Sequence, residues 1–123
     1  MLFRSVFEED YIVESDGEGL DYRLMHDYMS RWNDENASGI SHVGFGLNEK
    51  ARWNALAMYE RDELEGSEAR AFSGNFLPST GPNPVAGRKT LCHFDLPMRN
   101  CTVLVDGSEV IRDGKLVSAE LLP

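Results

Sequence analysis

Residues 91–101, LCHFDLPMRNC, place two polar side chains in an apolar segment and decide the fold that we expect. The run TLCHFDL, residues 90–96, is typical of a β-strand, in which successive side chains point to opposite faces. Cys92, Phe94 and Leu96 would then face the core, and His93 and Asp95 would project together from the other face. Such a pair is compatible with metal ligands, with a hydrogen-bonded acid–base pair or with a solvated surface.

The flanking segments alternate between strand and helix patterns. Towards the N-terminus we predict two short strands in residues 2–15 with a hairpin turn near Glu8–Asp10, an amphipathic helix from Leu20 to Trp32, a strand over residues 40–48 and a helix from about Glu49 to Glu60. We then predict a strand over residues 69–76, a loop over residues 77–87 and, beyond the central strand, a β-meander over residues 100–118 with turns at Asp106-Gly107 and Asp113-Gly114. The apolar face of the first helix would consist of Leu20, Leu24, Met25, Tyr28, Met29 and Trp32.

This order of elements predicts an α+β fold with a mixed β-sheet, two main helices and a C-terminal β-meander. A length of 123 residues, 41% of them hydrophobic, is that of one globular domain, so we expect residues 1–123 to form a single domain. The apolar residues outnumber what two helices on one sheet need to cover, which favours self-association into a homo-oligomer.

The charge and the cysteines narrow the class of partner and the location. A net charge of −9 would repel a phosphate backbone, so we do not expect a nucleic-acid partner. No apolar run is long enough for a membrane span and the N-terminus is not a secretory signal, so we expect a cytoplasmic protein with no membrane partner. We expect Cys92 and Cys101 to be free thiols.

Two further segments offer groups that could join His93 and Asp95. His42 shares a face of its predicted strand with Gly44 and Gly46, which indicates close approach of a ligand or another backbone, or else a bulge or tight packing against a helix. Ser79 lies in the predicted loop between a proline and a glycine, where it is either a hydroxyl held in a fixed direction or an ordinary turn serine. An imidazole, a hydroxyl and a carboxylate with open coordination positions approach the pattern of non-haem Fe(II) oxygenases, although their usual second ligand is a second histidine.

The stretches ISHVGFGLNEKARW, AFSGNFLPSTGPN and LCHFDLPMRNCTVLVDG resemble the C-terminal part of 2,5-dihydroxypyridine 5,6-dioxygenase, an Fe(II) enzyme of nicotinate degradation. That family is in turn related to the metal-dependent leucyl aminopeptidases of the thermophilic type. The resemblance implies a cofactor, Fe(II), bound by His42, Ser79 and Asp95, with a small aromatic substrate and O2 as partners and extradiol-type ring cleavage as the reaction. It implies that His93 orients a ligand or the substrate, and it makes Arg99 and Asn100 weaker candidates for substrate contacts.

Two other functions stay open at this point. An aminopeptidase-like hydrolase would hold two metal ions, but its family has glutamate where this chain has His42, and nitrogen in place of oxygen favours iron. A non-catalytic assembly module would bind no metal tightly. The dioxygenases are about three times as long as this chain, so we expect it to correspond to the C-terminal metal-ligand domain of a longer two-domain enzyme, or to a truncated relative without activity.

Overall fold

The computed structural model describes residues 2–58, 63 and 67–121. In chain order its main elements are β1 (Leu2–Glu8), β2 (Tyr11–Glu18), α1 (Gly19–Ser30), β3 (Ile40–Phe45), α2 (Ser67–Ala71), β4 (Phe76–Thr80), β5 (Phe94–Asp95), β6 (Val103–Val105), β7 (Ser108–Arg112) and β8 (Lys115–Leu116), with 3₁₀ helices at Glu35–Ser38 and Trp53–Ala57. The α+β class is confirmed, and the strands are distributed over three small antiparallel sheets, ordered β1-β2, β3-β4-β5 and β6-β7-β8.

The contacts group the chain into two compact units, each built from two separate stretches. The first unit comprises Met1–His42 and Pro78–Asp95, and the second comprises Val43–Leu77 and Leu96–Pro123. The single domain predicted for residues 1–123 stays a prediction. Among the described residues, no helix is long and apolar enough to cross a membrane.

The first unit begins with the predicted hairpin. β1 and β2 pair from Leu2↔Glu18 to Glu8↔Tyr11, with an irregularity between Val6 and Phe7. Glu9 and Asp10 close the turn with φ angles of 47° and 70°, as a two-residue turn between right-twisted strands requires. The hairpin turn near Glu8–Asp10 is therefore confirmed.

Helix α1 follows β2 directly, and its contact with the hairpin is narrower than the sequence predicts. Met25 is buried, whereas Leu20 and Leu24 are 63% and 58% exposed. The helix ends at Ser30 and not at Trp32. The Tyr22 hydroxyl donates a hydrogen bond to the carbonyl oxygen of Ser15 at 3.0 Å, which fixes the first part of the helix to β2.

The connection between β4 and β5 is closed by a turn and braced by a buried arginine. Asn83 and Arg88 exchange two backbone hydrogen bonds of 3.0 and 2.9 Å, and Val85 at the tip of this turn is fully exposed. The Arg88 guanidinium lies 4.7 Å from the centre of the Tyr11 ring, and a Cβ on Gly39 would collide with it. The base of the connection is thus attached to the hairpin while its tip is free.

Three predictions about these strands differ from the structure. The predicted loop 77–87 contains most of β4, because Ser79 and Thr80 pair with Asp95 and Phe94. Pro78 precedes the two residues of β4 that pair with β5, so its missing N–H is not required by these register pairs. The predicted strand 90–96 contracts to the two residues Phe94 and Asp95, and the predicted strand 40–48 becomes β3, Ile40–Phe45.

In the second unit, two backbone segments approach each other closely, and the helix predicted from Glu49 to Glu60 and the strand predicted over residues 69–76 do not form as predicted. Gly46 exchanges hydrogen bonds with the backbone of residues 74–75, and a Cβ on Gly46 would lie 2.0 Å from the Phe72 carbonyl oxygen. Of the interpretations left open for the glycines beside His42, close approach of another backbone therefore applies to Gly46. Nothing lies within 4 Å of a Cβ built on Gly44.

The helix predicted from Glu49 to Glu60 is wrong over the described residues, where only the 3₁₀ helix Trp53–Ala57 forms, and residues 59–60 lie outside them. The Arg52 amide donates to the Glu68 carboxylate at 2.7 Å, and the Trp53 ring packs edge-on against Phe72. These long-range contacts replace the hydrogen bonds of a regular helix.

The strand predicted over residues 69–76 is also wrong, because α2 covers Ser67–Ala71 and β4 begins only at Phe76. The fully buried Asn75 side chain donates to the carbonyl oxygen of Arg70 at 2.7 Å, close to the end of the short helix.

The C-terminal β-meander is confirmed. β6 pairs with β7 and β7 with β8, both antiparallel, and Ile111 of β7 is fully buried. Asp106-Gly107 and Asp113-Gly114 form the turns with positive φ at both residues, as predicted from these dipeptides. Cys92 and Cys101 are both free thiols, which is also as predicted.

Candidate metal centre

The centre of the candidate site is a cross-strand pair in the first unit. Ser79 of β4 lies directly opposite Asp95 of β5, and its side chain is almost completely buried. Its hydroxyl donates a hydrogen bond of 2.7 Å to Asp95 Oδ1. Residues opposite each other on antiparallel strands have side chains on the same face, so the strand pairing itself brings the hydroxyl and the carboxylate together.

The two imidazoles converge on the same carboxylate oxygen. His93 Nε2 lies 3.1 Å from Asp95 Oδ1 and 3.1 Å from Ser79 Oγ. His42 Nε2, from β3, lies 3.6 Å from Asp95 Oδ1, and the two imidazole rings meet edge-on with their centres 5.7 Å apart. One ligand atom from each of His42, His93 and Asp95 lies within 4.8 Å of the other two.

The alternation predicted for residues 92–95 fixes which groups enter this cluster. Cys92 is fully buried, and burial raises the pKa of its thiol, so it acts as an apolar anchor and not as a thiolate ligand. The side chain of His93 is 49% exposed, and those of His42 and Asp95 are 44% and 28% exposed. The buried Cys92 side chain anchors this segment, while the side chains of His93 and Asp95 reach a surface that a ligand can approach.

Gly81 allows the segment before β5 to pass close to the end of β4. Its φ angle is +125°, and a Cβ at this position would lie 2.4 Å from the Cys92 carbonyl oxygen and 3.1 Å from the Cα of His93. Glycine is therefore required here both by backbone conformation and by space. The position of the His93 imidazole depends on this close contact.

The cluster has the composition of a transition-metal site. Two imidazoles and a carboxylate are the donors of the facial arrangement found in non-haem iron proteins, and the Ser79 hydroxyl adds a further oxygen at the same point. The three predicted ligands, His42, Ser79 and Asp95, are therefore brought together. His93, predicted only to orient a ligand or the substrate, is as close to the common carboxylate oxygen as a ligand would need to be.

A nucleophilic serine mechanism does not match this geometry. In a Ser–His–Asp relay the serine and the aspartate contact opposite nitrogens of the imidazole. Here Ser79 Oγ and Asp95 Oδ1 both lie 3.1 Å from the same nitrogen, His93 Nε2. The arrangement favours shared coordination of a cation over proton relay through the ring.

The two weaker candidates belong to the second unit. The Arg99 guanidinium lies 5.9 Å from the centre of the Trp53 ring, and Asn100 has a φ of +56° beside the backbone of Gly114. Their proposed contacts with substrate stay predictions. Sequence reasoning missed one contact to the site, that of Tyr28, whose hydroxyl donates to the carbonyl oxygen of His93 at 3.3 Å. Tyr28 carries no signal for this in the sequence beyond its place on the amphipathic face.

Comparisons with known proteins agree with one another. A family described as 2,5-dihydroxypyridine 5,6-dioxygenase matches residues 4–118. The 2,5-dihydroxypyridine 5,6-dioxygenase of Pseudomonas putida KT2440 is 43% identical over 115 residues, which are 92% of this chain and 33% of that relative. The solved structure of the 2,5-dihydroxypyridine dioxygenase from this organism is similar with a TM-score of 0.80 at 41% identity, over 95% of this chain and 34% of that chain. The chain thus spans about a third of the length of the proteins it matches.

Proposed function

Since this chain belongs to the 2,5-dihydroxypyridine 5,6-dioxygenase family, we propose that it supplies the Fe(II) ligands of a dioxygenase that opens a hydroxylated pyridine ring. The observation that carries the proposal is the convergence of His42, Ser79 and His93 on one oxygen of Asp95. His42, Ser79 and Asp95 lie on three strands of one sheet, and His93 directly precedes the last of these strands. Folding of the chain alone therefore assembles them.

The donor set fits Fe(II). His42, Ser79 and Asp95 would hold the ion. Imidazole nitrogen together with carboxylate oxygen suits Fe(II) better than the softer thiolate sulfur does. Cys92 is fully buried, whereas His93 and Asp95 are partly exposed, so its sulfur is not among the groups that would bind. When bound, Fe(II) supplies a Lewis acid and redox centre at which the aromatic substrate and O2 react.

Residues of the chain would also determine the charge and the hydrogen bonding around the ion. Asp95 supplies the negative charge of the cluster, and the buried Ser79 hydroxyl fixes the direction of that carboxylate. His93 lies beside both oxygens, and it would orient the substrate or serve as an additional ligand. The half-exposed imidazoles leave a side from which the substrate can approach.

Ring cleavage needs a site from which water is excluded, and His42 and His93 are too exposed for that in this chain alone. The proteins that this chain matches have about three times its length. We therefore propose that polypeptide corresponding to the rest of their length provides the remaining walls of the active site and the contacts that select the substrate.

The first test is the metal content of the protein, measured by elemental analysis after anaerobic purification and Fe(II) loading. One iron per chain supports the proposal, two metal ions per chain would favour an aminopeptidase-like site, and no bound metal would favour an assembly module. His42→Ala is the matched variant, because it removes one imidazole while the Ser79–Asp95 pair remains.

The second test is O2 consumption with 2,5-dihydroxypyridine and Fe(II). It compares this chain with a chimera in which the chain replaces the matching third of the Pseudomonas putida enzyme. We expect uptake by the chimera and its loss in the Asp95→Asn chimera. A folded, iron-loaded chimera without uptake would refute the proposed activity.

Nicotinate degradation as the pathway, an extradiol-type reaction, a cytoplasmic location and a homo-oligomeric state are further proposals that rest on the sequence. Light scattering of the purified chain tests the last of these directly.

A further inference from the structure

The strand that carries Asp95 is too short to fix the position of Asp95 and of the preceding His93 by itself. β5 consists of two residues, Phe94 and Asp95, with two register pairs to β4. Strands in globular proteins are usually about 5–6 residues long, and shorter pairings depend on other contacts for their order. His93 precedes the strand and lies outside its register pairs, so its position must be determined by the groups that contact residues 92–94.

Tyr28 of helix α1 contacts two successive residues of this segment, His93 and Phe94. Its hydroxyl donates a hydrogen bond of 3.3 Å to the carbonyl oxygen of His93. Its ring packs against the Phe94 ring with a centre-to-centre distance of 5.3 Å. Trp32 packs edge-on against the Tyr28 ring at 6.0 Å and limits its rotation.

We propose that Tyr28 is the residue that positions His93 and Asp95, so that helix α1 sets the geometry of the metal centre. The inference rests on the proposed function, because it assigns Tyr28 a role in that same site. Tyr28 does not contact the ligand atoms and acts through the backbone of His93 and the ring of Phe94. It is a positioning residue, and its loss should disturb metal binding more than it disturbs the fold.

Helix α1 provides a matched control. Tyr22 lies on the same helix in the same unit, and its hydroxyl also donates to a backbone carbonyl, that of Ser15, at 3.0 Å. Tyr22→Phe and Tyr28→Phe each remove one oxygen and one hydrogen bond of the same kind. The two variants should therefore lose similar stability, and they differ in whether the lost bond leads to residues 92–95.

The experiment is titration of the full chain and of both variants with Co(II), followed by calorimetry and by the visible absorption of the bound ion. We expect Tyr28→Phe to weaken Co(II) binding by about tenfold, which is the lower end of the effect of removing a hydrogen bond that orients metal ligands. We also expect its absorption bands to shift, because these bands report ligand geometry. Tyr22→Phe should change neither. Equal affinities and spectra for the two variants would overturn the inference.

A second measurement separates this inference from the proposed function. Amide hydrogen exchange of the metal-free chain should become faster at residues 92–95 in Tyr28→Phe and remain unchanged there in Tyr22→Phe. If the unsubstituted chain binds no Co(II), the proposed function fails, and the exchange rates still decide whether Tyr28 holds this segment. Faster exchange at these residues in both variants, or in neither, would refute the role of Tyr28.

Discussion

Replacing Gly81 with alanine tests whether the close passage of two backbones holds the candidate site together. A Cβ at this position would lie 2.4 Å from the Cys92 carbonyl oxygen, which is backbone and has no flexible end to move aside. The φ angle of +125° is also one that residues other than glycine rarely adopt. The substitution therefore strains the local conformation and forces residues 92–93 away from β4.

The expected loss of stability follows from these two effects. Backbone strain of this kind costs about 1–3 kcal/mol and forced overpacking adds about 1–3 kcal/mol, so we expect Gly81→Ala to lose about 2–6 kcal/mol of unfolding free energy. Gly87→Ala is the matched control, because Gly87 also has a positive φ, +70°, but has nothing within 4 Å of its Cβ position. It should lose only the conformational part, about 1–2 kcal/mol.

Urea unfolding followed by tryptophan fluorescence measures both losses, provided that the slope of the transition is the same in the two variants. Co(II) titration then shows whether the displaced segment still presents His93, and we expect weaker binding in Gly81→Ala alone. Equal stability losses in the two variants would show that the Cys92 backbone yields at no cost, and the reasoning from close passage would be wrong.

Four further predictions concern the ligands, the thiols and the second unit. Asp95→Asn removes the carboxylate from the cluster and should lower Co(II) affinity by more than the range of about 10–100-fold that loss of an outer hydrogen bond causes; calorimetry showing a smaller effect would contradict its role as a ligand. Burial raises the pKa of both thiols, so the thiolates are scarce near pH 8 and iodoacetamide should react slowly. Peptide mapping should show that the partly exposed Cys101 reacts first and that the fully buried Cys92 reacts only upon unfolding. Because the folded state favours the protonated thiols, unfolding free energy should be retained below their ordinary pKa of 9.0 and decrease as the pH rises above it, and a constant value there would contradict the assignment. Gly74→Ala should destabilise the chain strongly, since its Cβ would overlap the Gly114 carbonyl oxygen, and an unchanged urea midpoint would refute this contact.

The sequence predicted those features that depend on residues close together in the chain. Asp-Gly dipeptides adopt the positive φ angles that tight hairpins need, so the turns of the meander followed from two residues each. The alternation of side chains in a strand likewise predicted that Cys92 would be buried and that His93 would lie on the face of Asp95. Local rules were sufficient because these features are local.

The wrong predictions involve partners far away in the chain. Pro and Gly around Ser79 are typical of a loop, but pairing with Asp95 makes the segment a strand. The hydrogen bond from the Arg52 amide to Glu68 likewise takes the place of a helical bond in a segment whose pattern favoured a helix. No local pattern contains these pairings, so tertiary contacts overrode the propensities. The residue types of His42, Ser79 and Asp95 suggested a shared metal site, but their assignment as ligands rested on the family resemblance.

Because of the turn between Asn83 and Arg88, the number of residues between the ligands in the sequence does not determine their arrangement in space. Its base is pinned by Arg88, whereas Val85 at its tip is fully exposed, so added residues there would extend into solvent. Related proteins can therefore differ in the number of residues between the serine and the histidine–aspartate pair and still build the same cluster. A search for such proteins should require the serine and the histidine–aspartate pair, and should leave the number of residues between them free.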